Sequence, residues 1–311
     1  MDHLSKTGTI QEYEMNASGS NAKGRYYTSL NFNNTDGVFY GVGLKKINGR
    51  LNADYKLTNT LESGARVNVS YTDGMDVPMQ SLYYSNPVFA GMMILPWSPA
   101  YDSEGKHNVN IIENSNTNPR ATAEYDDQYG KNYQLMGNFY LQWKPIKQIT
   151  LKTTNAIETV HGDGRRYWAP ETNEGIATLQ TTMSKYVQLT TSNTISYDDV
   201  LFNDHSVRVL AGQEAMKSNN AYQYISAPDV NPDIPYVQTA PQTGVEGEQG
   251  YSAETLLSYF GMIDYNYAAK YYLQASLRVD GSSLFGSQNV WGTFYSVGAS
   301  WNIHNENFMK E

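Results

Sequence analysis

LLSYFGMIDYNYAAKYYLQASLRVDGSSLFGSQNVWGTFYSVGASWNIHNENFM, residues 256–309, is the stretch whose reading decides the fold. From Tyr271 to Asp280 the odd positions Tyr271, Leu273, Ala275, Leu277 and Val279 are apolar, and the even positions Tyr272, Gln274, Ser276, Arg278 and Asp280 are mostly polar. Phe294 to Ile303 repeats this, with Tyr295, Val297, Ala299, Trp301 and Ile303 on one side and Ser296, Gly298, Ser300 and Asn302 on the other. Leu257 to Tyr267 shows a weaker split, Tyr259, Gly261, Ile263, Tyr265 and Tyr267 against Ser258, Phe260, Met262, Asp264 and Asn266. A period of two puts alternate side chains on opposite faces of a strand. Only Ala268, Ala269 and Lys270 join the first two of these strands, whereas Gly281 to Gly292 separates the second from the third.

Strands of about ten residues, apolar on one face, polar on the other and aromatic at their ends, suit a transmembrane antiparallel β-barrel. Lipid demands an apolar exterior, a wet lumen accepts Arg278 and Asp280, and closure pairs every backbone group. A water-soluble sandwich produces the same alternation. The long charged residues on the polar face and the girdle-type Tyr and Trp on the apolar face favour the membrane reading.

Composition sets further bounds. Twenty-six Tyr, 25 Gly and abundant Asn, Ser and Thr favour strands and turns. No apolar run reaches the roughly 18 residues of a membrane-spanning helix, which excludes a helical membrane protein but not a barrel. The absence of Cys removes disulfides, thiolate zinc sites and thiol nucleophiles. A net charge of -9, with no basic stripe, argues against nucleic acid. Met1 is followed by Asp2 and His3 without a basic and then apolar leader, so an export signal is expected outside this sequence.

Working outward from the opening stretch, the alternation recurs in Glu14 to Ser20, Arg25 to Phe32, Lys46 to Leu57, Leu61 to Thr72, Asn132 to Trp143, Ile149 to Val160, Lys185 to Tyr197 and Ser206 to Glu214. Across the Thr58 to Thr60 turn the register is kept, Ile47, Leu51 and Tyr55 outward with Val67, Val69 and Tyr71. Three long connections are expected, over Asp73 to Lys131, His161 to Ser184 and Ala215 to Glu254, the first collecting Pro78, Pro87, Pro96, Pro99 and Pro119. About eleven strands result, with connections alternately short and long. Outer-membrane barrels have short periplasmic turns and long extracellular loops, so this asymmetry again favours the membrane.

Several motifs resemble those of SusC-like TonB-dependent receptors of Bacteroidetes outer membranes (the SusC/RagA group). They are Asp36-Gly37-Val38, Asn86-Pro87 with Leu95-Pro96-Trp97-Ser98-Pro99-Ala100-Tyr101, Ser258-Tyr259-Phe260-Gly261, and Lys270-Tyr271-Tyr272-Leu273. Arg278-Val279-Asp280-Gly281-Ser282-Ser283-Leu284-Phe285-Gly286, Phe294 to Trp301 and Asn305-Glu306-Asn307-Phe308-Met309 complete the set. The resemblance implies a barrel of about 22 strands around an N-terminal plug, importing oligosaccharides or peptides with a SusD-like surface lipoprotein and energy from the TonB complex. No plug, TonB box, carboxypeptidase-like extension or final strand ending in an aromatic residue is found. Residues 1–311 are therefore expected to be part of one barrel domain, a fragment of about 11 strands of the expected 22, with TonB coupling supplied by the part not shown. An open sheet of this size leaves two unpaired edges and an apolar face, which agrees with a missing remainder.

Catalytic chemistry finds no support. His3, His107, His161, His205 and His304 lack ligand spacing, so no metal site and no cofactor is expected. His161 near Asp163 has no nucleophile placed by motif, and Asp102-Ser103-Glu104-Gly105 reads as a plain turn rather than a calcium loop. Arg50, Asp54, Arg66, Arg208, Glu214, Arg278 and Asp280 are expected to pair with one another on the lumen wall, with a line of passage as the alternative. Tyr55, Trp143, Tyr197, Tyr267, Tyr271 and Trp301 read as an interfacial girdle. Candidate ligand contacts are the aromatics of the expected extracellular loops, Trp97, Tyr101, Tyr167, Trp168, Tyr222, Tyr224 and Tyr236, which suit stacking on sugar rings or packing on a partner.

The resulting reading is a transporter and not an enzyme: outer-membrane, TonB-dependent import of a glycan or similar oligomer. Its alternatives are a TonB-dependent receptor for an iron chelate or cobalamin, and a non-membrane β-rich binding module.

Overall fold

The computed structural model describes residues 4–75, 84, 86–286 and 290–309. Among them eleven strands form one antiparallel sheet in sequence order. They are β1 (Thr9–Ser20), β2 (Gly24–Asp36), β3 (Gly43–Lys56), β4 (Leu61–Met75), β5 (Asp127–Ile146) and β6 (Ile149–Trp168). β7 (Thr178–Leu201), β8 (His205–Pro228), β9 (Glu246–Tyr267), β10 (Tyr271–Ser282) and β11 (Trp291–Trp301) complete it. Two short helices, α1 (Pro87–Met93) and α2 (Pro119–Tyr125), lie in the β4–β5 connection.

The register joins the apolar residues of successive strands into one face. Ile263 stands opposite Ala275 and Val209, Ala275 opposite Val297, and Leu273 opposite Tyr265 and Ala299. At the other side of the sheet Ile47 pairs with Tyr71 and Phe32, and Leu51 with Val67. This face is uncovered: Ile263 is 51% exposed and Val297 74%. The opposite face carries the charged residues and is concave enough to enclose Asp54 and Ser258. Among the described residues a polar patch interrupts the apolar face at the middle of β6 to β8. Asn155 pairs with Thr191, and Asn193 with Thr153 and Gln213, the Asn193 amide donating to Gln213 Oε1 at 3.1 Å.

The short connections share one end of the sheet. Phe202 and Asn203, and Ala268 and Ala269, have φ of 50° to 66°. Two consecutive left-handed residues match the twist of a tight hairpin. Tyr267, Tyr271 and Trp301 stack in a row at this end, with centroids 6.2 and 6.4 Å apart. The chain leaving β11 is tied to the same rim through Glu306, which accepts from Lys270 Nζ (2.8 Å), the Tyr271 hydroxyl (2.7 Å) and Trp301 Nε1 (3.1 Å). Those three donors hold its carboxyl at about 2.

At the other end the strands run further than the alternation predicts. The expected loop from His161 to Ser184 contracts to residues 169–177, and the one from Ala215 to Glu254 to residues 229–245, the rest being strand. Beyond the apolar band nothing imposes an apolar outer face, so period two fades while the hydrogen-bonded ladder continues. The connection from Asp73 to Lys131 contains α1 and α2, which Asn86 and Asn118 cap by accepting from Val88 N and Arg120 N, with Pro87 and Pro119 opening each helix. Pro78 lies outside the described residues. The buried apolar cluster sits on the outer side of this extension: Tyr167, Ala169, Ala177, Leu179, Ala227 and Val230, overlaid by Val237, Ala240 and Val245 of the β8–β9 connection.

Candidate functional site

Even-numbered residues of β3 to β10 face the concave side, and their charges are paired there. Asp54 accepts from Arg25 Nε (2.7 Å) and Arg66 Nη2 (2.6 Å). The Tyr140 hydroxyl lies 2.7 Å from both Asp54 and Glu62, and Lys152 stands over the Tyr140 ring. On the far side Arg278 donates to Asp280 (2.7 Å), Ser258 (2.8 Å) and Glu214 (3.3 Å) and covers the Phe260 ring. Arg208 pairs with Asp198. The mutual pairing expected from the sequence is therefore present for Asp54 with Arg66 and for Arg278 with Glu214 and Asp280, whereas Arg208 takes Asp198, a partner outside that set. Arg50 instead lines a recess of about 460 Å³ in the same wall with Arg66, Asn68, Met136, Asn138 and Glu158. Paired charges of this kind keep a wall hydrated without a net local field.

Above this paired zone the extended strands change character. Trp168, Tyr222 and Tyr224 lie on the concave face of β6 and β8, not on loops as the alternation suggests. Tyr222 is opposite Ser184, and Tyr224 opposite Thr182 and Glu248. The Tyr222 hydroxyl donates to Glu248, and Arg166 stands 4.5 Å over the Trp168 ring. Hydroxyls, amides, carboxylates and partly exposed rings thus share one wall, the combination that orients polar ligands in a cleft.

The other candidates are scattered. Tyr167 is on the outer face, buried in the apolar cluster, so its ring packs against the β8–β9 connection. Tyr236 lies on that connection, exposed, with Arg165 5.9 Å from its ring. Trp97 and Tyr101 belong to the β4–β5 connection. Trp97 is 77% exposed, and Tyr101 stacks on the buried His107 at 5.1 Å. His107 Nε2 lies 2.9 Å from Glu124, which holds that carboxyl below its ordinary range, and Arg120 stands 3.7 Å over Tyr40. Tyr101, His107 and Arg120 border a recess of about 160 Å³. Asp102 accepts from the backbone of Glu104 and Lys106, the plain turn its sequence implies.

Asp126 and Glu248 were not singled out by sequence. Asp126 follows α2 and accepts from Ala169 N (2.9 Å) and the Thr172 hydroxyl, clasping the β4–β5 connection to the β6–β7 turn. Burial pushes its carboxyl up to about 6. Neither residue has a local sequence signal, because each partner comes from a different strand or loop.

Comparison with known proteins agrees with the geometry. No protein-family model matches the chain. TonB-dependent receptor P26 of Formosa agariphila is 26% identical over 321 aligned positions, covering 99% of this chain and 32% of that protein. SusC of Bacteroides thetaiotaomicron is 38% identical over 77 positions, 24% of this chain and 8% of that protein. In fold, the RagAB peptide importer in its open-open state matches the whole chain with a TM-score of 0.88 at 20% identity, the chain covering 35% of it. The ferric citrate transporter FecA matches 97% of the chain at a TM-score of 0.62 and 7% identity, over 40% of its own length. The chain spans about a third of the length of the curated relatives it matches nearly end to end. The chain is thus similar over nearly its whole length to curated TonB-dependent receptors, resembles SusC over about a quarter of it, and has the fold of part of a TonB-dependent receptor β-barrel.

Proposed function

We propose that the complete receptor of which residues 1–311 form one part of the barrel imports oligosaccharides or similar oligomers across an outer membrane. Further strands close the barrel, a SusD-like lipoprotein presents the cargo, and the TonB complex supplies energy through the N-terminal part. The observation that carries this reading is the concave wall of β6 to β9. It rises past the apolar band and exchanges paired charges for Trp168, Tyr222, Tyr224 and Glu248 among hydroxyls and amides. A large cargo needs such a wall at the mouth, since many weak polar and stacking contacts hold an oligomer without trapping it. A peptide is the second reading, supported by the fold likeness to a protein described as a peptide importer. An iron chelate has the weaker fold likeness of the ferric citrate transporter.

The test is uptake by cells expressing the complete receptor and its lipoprotein. Labelled oligosaccharide is expected to accumulate only while the TonB complex is energised. Energy-dependent accumulation of peptide alone, or of iron chelate alone, would replace the cargo, and absence of any energised uptake would remove the import reading.

A further inference from the structure

Tyr222 and Gly250 face each other across β8 and β9 on the concave wall, and the Tyr222 hydroxyl donates to Glu248, two residues along the same face of β9. To reach that carboxylate the ring crosses residue 250. A Cβ there would lie 2.0 Å from Cε1 of the ring and 2.6 Å from Cζ. Space is what demands glycine at this position, because any side chain would displace the ring. The ring is thus fixed by its own backbone, by the bare backbone of Gly250 and by Glu248, yet it stays 39% exposed.

Similar ring-over-glycine pairs occur twice lower on the same face, Tyr140 over Gly64 and Phe260 over Gly212. Those rings are covered by cations, Lys152 and Arg66 over Tyr140 and Arg278 over Phe260. Among the described residues no cation covers Tyr222. The even positions of Thr178 to Gln188, Met216 to Ser226 and Glu246 to Glu254 contain no Lys or Arg, and they do contain Glu246, Glu248 and Glu254. Thr182, Ser184, Asn220, Tyr224 and Ser252 complete the surroundings with uncharged groups.

We propose that Tyr222, positioned by Gly250 and Glu248, is a stacking subsite for a pyranose ring of a neutral oligosaccharide. The C–H face of a sugar packs on an aromatic ring, and the free lone pairs of Glu248 accept its hydroxyls. A ring already immobilised loses little entropy on binding. Glu246, Glu248 and Glu254, set against Arg166, which is held over the Trp168 ring two strands from Tyr222, oppose uronate or sulfate groups, which selects uncharged sugars. The proposal rests on the import reading and names its cargo class.

The experiment uses the complete receptor and calorimetry with maltoheptaose, cellohexaose, xylohexaose and mannohexaose, beside an alginate hexamer and a pool of tryptic peptides. A neutral hexamer or heptamer is expected to bind and alginate to be refused. Tyr222→Ala and Gly250→Ala should each weaken that binding about tenfold, Tyr222→Phe by less, since its ring stays over Gly250 without the tether. Gly250→Ala removes no contacting atom, so its loss reports the position of the ring, and heat-resistant migration of each variant confirms an assembled barrel. Undiminished binding to both Ala variants would overturn the subsite while leaving import intact. Binding of alginate or peptides alone would overturn the cargo class. A receptor that binds none of the probes and shows no energised uptake of any cargo would take the import reading down with it.

Discussion

An arginine at position 263 is expected to weaken assembly of the complete receptor in a bilayer by about 2–4 kcal/mol, the cost of a cation near the midplane on the lipid face of a barrel. Ile263 is in the middle of the alternating segment from Tyr259 to Tyr267 of β9, on the face shared with Ala275 and Val209. An arginine at Gln274 on the adjacent strand is the control. Gln274 is on the concave face directly opposite Asp264, so Gln274→Arg should stay within about 0.5 kcal/mol of the parent. Refolding into phospholipid vesicles across a urea series measures both. Equal sensitivity at the two positions would show that the two faces do not meet different solvents.

The second large effect concerns Asp126. In an unfolded chain this carboxyl titrates near 3.8, and in the clasp burial raises it to about 6, with the hydrogen bonds from Thr172 and the Ala169 amide and then Arg166 opposing the rise and Glu171 adding to it. The closed clasp therefore holds the extra proton between those values. Its stability is fully present below about pH 4, falls as pH climbs through 6, and is level above that, a difference of about 3 kcal/mol. Hydrogen exchange at the Ala169 amide, corrected for its intrinsic pH dependence, should quicken over this window. Asp126→Asn keeps an acceptor for Ala169 N and removes the titration, so its exchange should show no step. A wild type without the step, or a variant that retains it, would contradict the assignment.

The apolar-banded part of the sheet was legible in the sequence because one requirement, an apolar outer face, falls on every strand there. Tyr271 to Asp280 and Lys46 to Leu57 alternate for that reason, and their partners follow from tight turns of fixed geometry. The extension was not legible. In Met216 to Pro228 the odd positions include Lys217, Asn219 and Gln223, since water meets both faces there. The same loss of pattern hid the site. Tyr222 and Trp168 were noticeable as aromatics, but their common wall depends on strands that read as loops. Gly250 could not be found at all, because a long connection joins β8 to β9 and no turn geometry sets the register that brings it under Tyr222. Tyr167 shows the converse: its aromatic character suggested a contact surface, whereas Leu179, Ala227 and Val230 enclose it.

The most direct test of the account is a spin-label accessibility scan of residues 271–280 in the complete receptor, reconstituted in a bilayer, with oxygen and a water-soluble nickel chelate as relaxants. The account predicts a period of two, with Leu273, Ala275, Leu277 and Val279 meeting lipid-dissolved oxygen and Gln274, Ser276, Arg278 and Asp280 the aqueous chelate. Equal access of the chelate to both sets would contradict it, and would return the sheet to water.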